Sequence, residues 1–228
     1  MSCCRENVCG IVGRHRTEKS LRWSPAAVLA AGMLLLAVMP VAADYPTIVR
    51  VEEDWEFVVQ LPEVNTDAPQ VTCVISPGGD LFGVYASFEL NHHTQPDYAA
   101  GGLQLQLWSD GFPIASSASP NQTLLQQESE TIRWTQRMRL HEDLLKFDIV
   151  NGTSSTWGDF GGQGNLKVSL PTELHTLGGY QPGFSVDHSG VGYAGNRVTS
   201  LKLREVRWYS ATDLEARDTT DRVVHPQE

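Results

Sequence analysis

Residues 51–60 read VEEDWEFVVQ. In an extended chain, successive side chains point to opposite faces. Val51, Glu53, Trp55, Phe57 and Val59 therefore share one face, and Glu52, Asp54 and Glu56 share the other. The first face is apolar apart from Glu53, which is the period of a half-buried β-strand. The second raises a choice between a charged, solvated strand face and a glycoside-cleaving site. Retaining cleavage needs two carboxyl groups roughly 5 to 5.5 Å apart. Strand residues four apart are about 13 Å apart along the backbone. The trio could converge only through strong bending or a bulge.

The same alternation recurs along the chain. Val84, Ala86, Phe88 and Leu90 share a face. Leu103, Leu105 and Leu107 alternate with Gln104, Gln106 and Trp108. Ile132, Trp134, Met138 and Leu140 alternate with Arg133, Thr135, Arg137 and Arg139. Leu145, Phe147 and Ile149 alternate with Lys146, Asp148 and Val150, and 71–75 and 166–170 are shorter strand candidates. Turn signals lie between: Pro77-Gly78-Gly79-Asp80, Asp110-Gly111, Pro120-Asn121, Asn151-Gly152 and Gly161-Gly162-Gln163-Gly164. Beyond a short helical turn at 122–130, no stretch after residue 44 keeps a helical period. Many short strands with glycine-rich turns predict an all-β, antiparallel sandwich or barrel over residues 44–212. Residues 213–228 are polar and aperiodic and are expected to form a frayed tail.

The chain has 228 residues, and its start reads as a targeting segment. Arg5, Arg14, Arg16, Lys19 and Arg22 precede the uncharged run AAVLAAGMLLLAVMPVAA at 26–43. A basic region, an apolar run and the small-residue box Val41-Ala42-Ala43 predict a signal peptide over 1–43, with export to the envelope or medium. The rival is a membrane anchor, for which the run is barely long enough. Cleavage leaves 185 residues, enough for one domain with a sizeable core. Five of the 17 basic and two of the 27 acidic residues fall within 1–43, leaving 12 against 25 and a net charge of about −13. Such a field does not favour nucleic acid or anionic lipid as a partner. The only cysteine beyond the segment, Cys73, lies in the apolar run VTCVIS and is expected to be a buried small hydrophobe, not a reactive thiol.

Two stretches carry a family resemblance. TIRWTQRMRLHEDLLKFDIVNGTSSTWGDF (131–160) resembles the middle hairpin of concanavalin-A-like (laminin-G-like) jelly rolls, with a return strand ending at an Asn-Gly turn. NRVTSLKLREVRWYSATDL (196–214) resembles their last strand. AGGLQLQLW and NGTSSTWGDFGG also resemble exported bacterial proteins of that fold, from which no activity follows. The resemblance implies a jelly-roll sandwich in which the first and last strands lie side by side and antiparallel. Glu52, Asp54 and Glu56 would then face Lys202, Arg204 and Arg207, each opposite-charge pair worth a few tenths to about 1 kcal/mol. Charges on an outer strand would also discourage edge-to-edge pairing. Laminarinase-like glycoside hydrolases of this superfamily carry a Glu-x-Asp-x-Glu motif, but mid-chain and with apolar residues between, where this chain has Glu53. The charge-pair account is preferred.

Other constellations are weaker. Asn91-His92-His93 with Asp97 is a poor zinc pair, since adjacent histidines in extended chain diverge. His141, His175, His188 and His225 lack ligand spacing, and Asp97, Asp110 and Asp187 form no calcium loop. No metal or cofactor is expected. Asp187-His188-Ser189 are adjacent and cannot form a triad together, and no G-x-S-x-G occurs. The candidate ligand face is Gln104, Gln106 and Trp108 beside Arg133, Thr135 and Arg137, expected to share one sheet face. An indole stacks on a sugar ring while amide and guanidinium groups reach its hydroxyls. The expected function is an exported, non-catalytic recognition or envelope domain whose partner is a polysaccharide or surface glycan. The alternatives are a glycoside hydrolase or polysaccharide lyase of the same fold, and a purely structural envelope protein.

Overall fold

A computed structural model of the protein describes residues 46–60, 69–90, 102–120, 125 and 129–226. The targeting segment 1–43, the His92-His93 stretch and most of 122–130 lie outside the described residues. Residues 45–228 form one compact unit. Its strands are β1 (Arg50–Val59), β2 (Gln70–Ile75), β3 (Val84–Leu90), β4 (Leu103–Ser109), β5 (Phe112–Ala118), β6 (Glu130–His141), β7 (Leu144–Ser154), β8 (Gly158–Phe160) and β9 (Lys167–Pro171). A short helix α1 (Pro182–His188) precedes β10 (Gly190–Tyr193), β11 (Val198–Tyr209), β12 (Leu214–Asp218) and β13 (Arg222–His225).

The strands form two antiparallel sheets. The larger runs β12-β11-β1-β6-β7-β8, with β13 also on β11 and β9 also on β7; the smaller runs β10-β2-β3-β4-β5. They face each other across one apolar core, a sandwich arrangement. Trp55 of β1 stacks on Trp134 of β6 with centroids 6.2 Å apart, and Phe88 of β3 meets Trp134 edge-on at 5.5 Å. The contact between Phe88 and Trp134 joins the two sheets. Cys73 is fully buried and free, as its apolar run predicts.

The alternation of 51–60 is realised throughout β1, whose odd-numbered residues are all buried. The β4–β5 hairpin turns at Asp110 and Gly111, both with positive φ (52° and 78°). This is the backbone that a two-residue hairpin requires and that Asp-Gly readily adopts.

Three expectations are corrected. First, β1 is not an outer strand: it lies between β11 and β6. Second, the polar tail 213–228 contains β12 and β13, both paired with β11. Its short segments have no period of their own; what fixes them is the edge that β11 offers. Third, Asn151-Gly152 is no turn. It lies inside β7, where a Cβ on Gly152 would fall 2.1 Å from the Phe160 ring. Glycine is there so that an aromatic ring can lie against the strand. Among the described residues, no helix is long and apolar enough to cross a membrane.

Candidate functional site

The outward face of the larger sheet is a grid of polar side chains. Register places them in four rows across the strands. The first is Glu56 (β1), Arg133 (β6) and Thr153 (β7); the second is Asp54, Thr135 and Asn151. The third is Glu52, Arg137, Asp148 and, on β9, Lys167; the fourth is Arg50, Arg139, Lys146 and Ser169. On the other side of β1, Glu52 faces Arg207 and Glu56 faces Lys202. The expected antiparallel pairing of an acidic first strand with a basic late strand is therefore present. Asp54 meets Glu205 instead, after which a register shift follows.

The carboxylates of β1 are held from both sides. Glu56 accepts from Arg133 Nε at 2.9 Å on Oε2 and from Arg204 Nη1 at 3.1 Å on Oε1. Asp54 takes a forked pair of hydrogen bonds from Arg207, at 2.5 and 2.9 Å, and a third from the Thr135 hydroxyl at 2.7 Å. Arg207 also reaches Glu205 at 2.7 Å and Glu52 at 3.3 Å. The hydrogen bonds with Asp54, more than any other contact, hold the Arg207 pKa above its ordinary value.

Rows one and two floor a groove of about 580 Å³, lined by Asp54, Glu56, Arg133, Asn151, Arg204 and Asp221 among others. Its most open charges are Arg133, 64% exposed at the side chain, and Arg204, 44% exposed. Arg204 also contacts Asp221 at 3.0 Å, in the segment between β12 and β13. The presumed tail thus builds one wall of the groove. The groove offers hydroxyl, amide, carboxylate and guanidinium groups. Trp55 and Trp134 lie beneath it but are only 1% and 2% exposed, so neither presents an open ring.

The candidate ligand residues do not share a face. Gln104, Gln106 and Trp108 lie on β4 of the smaller sheet, and Arg133, Thr135 and Arg137 on β6 of the larger. Alternation shows which side chains share one strand's face, but not which sheet the strand joins. Gln104 and Gln106 are buried. The Trp108 ring stacks on Tyr85 at 5.8 Å, and its indole N–H donates to the Ser87 hydroxyl at 3.2 Å. Arg133 and Thr135 line the groove, whereas Arg137 is committed to Asp148 through two hydrogen bonds of 2.7 and 2.9 Å.

Glu53 occupies the inward phase of β1 and is fully buried. It accepts hydrogen bonds from Tyr180 (2.6 Å), Ser185 of α1 (2.5 Å) and Trp55 Nε1 (2.9 Å). Burial pushes its pKa up to about 7, against the lowering effect of those donors and of Arg222. The sequence signal was a glutamate in the core phase of a strand; Tyr180 and Ser185, two of its partners, lie in segments without periodicity. Among the described residues, no group of three or more His, Cys, Asp or Glu side chains is placed to hold a metal ion.

Compared with known proteins, the chain matches no protein-family model and no curated sequence at a significant level.

Proposed function

We propose that this chain is an exported, non-catalytic recognition domain of jelly-roll type that binds a glycan in the groove on its larger sheet. The groove itself carries the reading. A polyhydroxylated ligand needs donors and acceptors in close alternation. Thr135, Asn151 and Thr153 provide them beside Arg133, with Arg204 across β1. The concanavalin-A-like resemblance, the pairing of β1 with β11 and the signal-like residues 1–43 are in keeping with it.

One observation favours a glycoside hydrolase as the second reading: Asp54 and Glu56 line the groove. An acid catalyst must present a protonated oxygen to the leaving group. Both oxygens of Glu56 receive guanidinium N–H, and both of Asp54 are held by Arg207. That occupancy suits a structural carboxylate better than a catalytic one.

The test is a glycan array probed with the purified protein, followed by titration of any retained glycan against Asn151→Ala and Arg133→Ala. The expected result is retention of at least one glycan, with a tenfold or greater loss of affinity in both variants. Their melting temperatures should move little. Retention of no glycan, or undiminished binding by both variants, would refute the groove as the site. Release of new reducing ends would transfer the protein to the hydrolase reading.

A further inference from the structure

The fourth row of the grid differs from the others. Arg50, Arg139 and Lys146 stand directly opposite one another on three adjacent strands. Neighbouring strands are about 4.8 Å apart, and like charges facing each other across strands are destabilising. The nearby carboxylates relieve the row in part, and Arg50 also stacks over the Tyr209 ring, 3.7 Å from its centroid. Asp148 is engaged by Arg137 through both oxygens and lies 3.5 Å from Arg139 Nη2. Glu52 lies 3.6 Å from Arg50, beyond hydrogen-bond reach. Among the described residues, Nε of Arg50 and Nε of Arg139 have no hydrogen-bond partner. Lys146 Nζ lies 3.1 Å from His141 Nδ1 and, among the described residues, forms no ion pair with a carboxylate. Lys167, one row over, faces the already occupied Asp148.

Of these cations, Arg139, Lys146 and Lys167 line a groove of about 430 Å³ together with Asp148, Ser116 of β5 and Ser169 of β9. A second depression of about 180 Å³ shares Arg139, Asp148 and Lys167. Three cations and one committed carboxylate thus gather in one place on a chain of net charge −10.

We propose that this groove is an anion-recognition site for an acidic polysaccharide, taking its carboxylate or sulfate substituents on Arg139, Lys146 and Lys167. An anion bound among Arg139, Lys146 and Lys167 offsets the repulsion between their like charges. Ser116 and Ser169 stand beside the cations, suited to the hydroxyls between charged substituents. The site is separate from the groove over β1 and borrows from the recognition reading only the sugar class of its ligand.

The experiment is titration of the purified protein, at low and at physiological salt, with four probes. They are dextran sulfate, polygalacturonate, neutral dextran and a single-stranded oligonucleotide. At least one acidic glycan should bind, neutral dextran should not, and the oligonucleotide should bind at least tenfold more weakly. K146A/K167A and, separately, Arg139→Gln should each lower acidic-glycan affinity tenfold or more. The melting temperature of the lysine double variant should hold or rise, because a like-charge contact is gone. Arg217→Gln, an exposed cation on β12 outside both grooves, should retain the binding. Absence of binding by both acidic glycans, unchanged affinity in the lysine variant, equal loss in Arg217→Gln, or an oligonucleotide bound as tightly would each overturn the proposal.

Discussion

Glu53 is a carboxyl group placed where every neighbour in its alternation is apolar. Trp55, Tyr180 and Ser185 each donate to it, so one side chain ties β1 to α1 and to the loop before it. A carboxyl whose folded-state pKa lies above its ordinary 4.5 stabilises the fold fully only below that pH. The contribution is lost as pH rises through about 7. The interval corresponds to about 3 kcal/mol. In urea unfolding at pH 4.5 and at pH 8, the stability of the wild type relative to Glu53→Gln should fall by about that amount as pH rises. A difference independent of pH would show that Glu53 does not change protonation. The variant should also cost about 1–3 kcal/mol at pH 4.5, because an amide donor turned toward the Trp55 indole N–H leaves that N–H unpaired. The inward position of Glu53 was legible from alternation alone. Tyr180 and Ser185 were not, since they reach it from segments whose pattern is neither 2 nor 3.6 residues.

Among the elements, β7 shows where pattern reading succeeds and where it fails. Leu145, Phe147 and Ile149 marked its buried face correctly. Asn151-Gly152 then read as a stop, because that pair is common where chains reverse. Here the strand continues, and the missing side chain of Gly152 makes room for Phe160 on β8. Gly152→Ala should therefore cost about 1–3 kcal/mol, the usual cost of overpacking. Thermal melting of Gly152→Ala alone and combined with Phe160→Leu provides the check. The smaller side chain should recover part of the loss, and full additivity would mean that the two residues do not compete for space. The strands themselves were legible because each carries its own alternation. Their assignment to sheets was not. Gln104 and Arg133 were placed on one face although β4 and β6 belong to different sheets, and no local pattern encodes that partition.

On the scale of the whole molecule, β11 is paired on both sides, with β1 on one and with β12 and β13 on the other. Truncation after Tyr209 should uncover a long strand edge and the buried Val224 contact. The expected outcome is a lower melting temperature together with a rise in light scattering on concentration. A truncated protein as stable and as soluble as the full chain would show that the last two strands are dispensable to the sheet. The pairing of β1 with β11 has a temporal consequence as well. Synthesis delivers β1 early, and β6 can cover one of its edges once the middle of the chain is made. The other edge has no partner until β11 follows, ten strands later. Contacts between such distant parts of a chain form slowly. Between the making of β1 and the making of β11, the first strand has one open edge. Charged side chains such as Glu52, Asp54 and Glu56 are of the kind that discourages such an edge from pairing with another molecule.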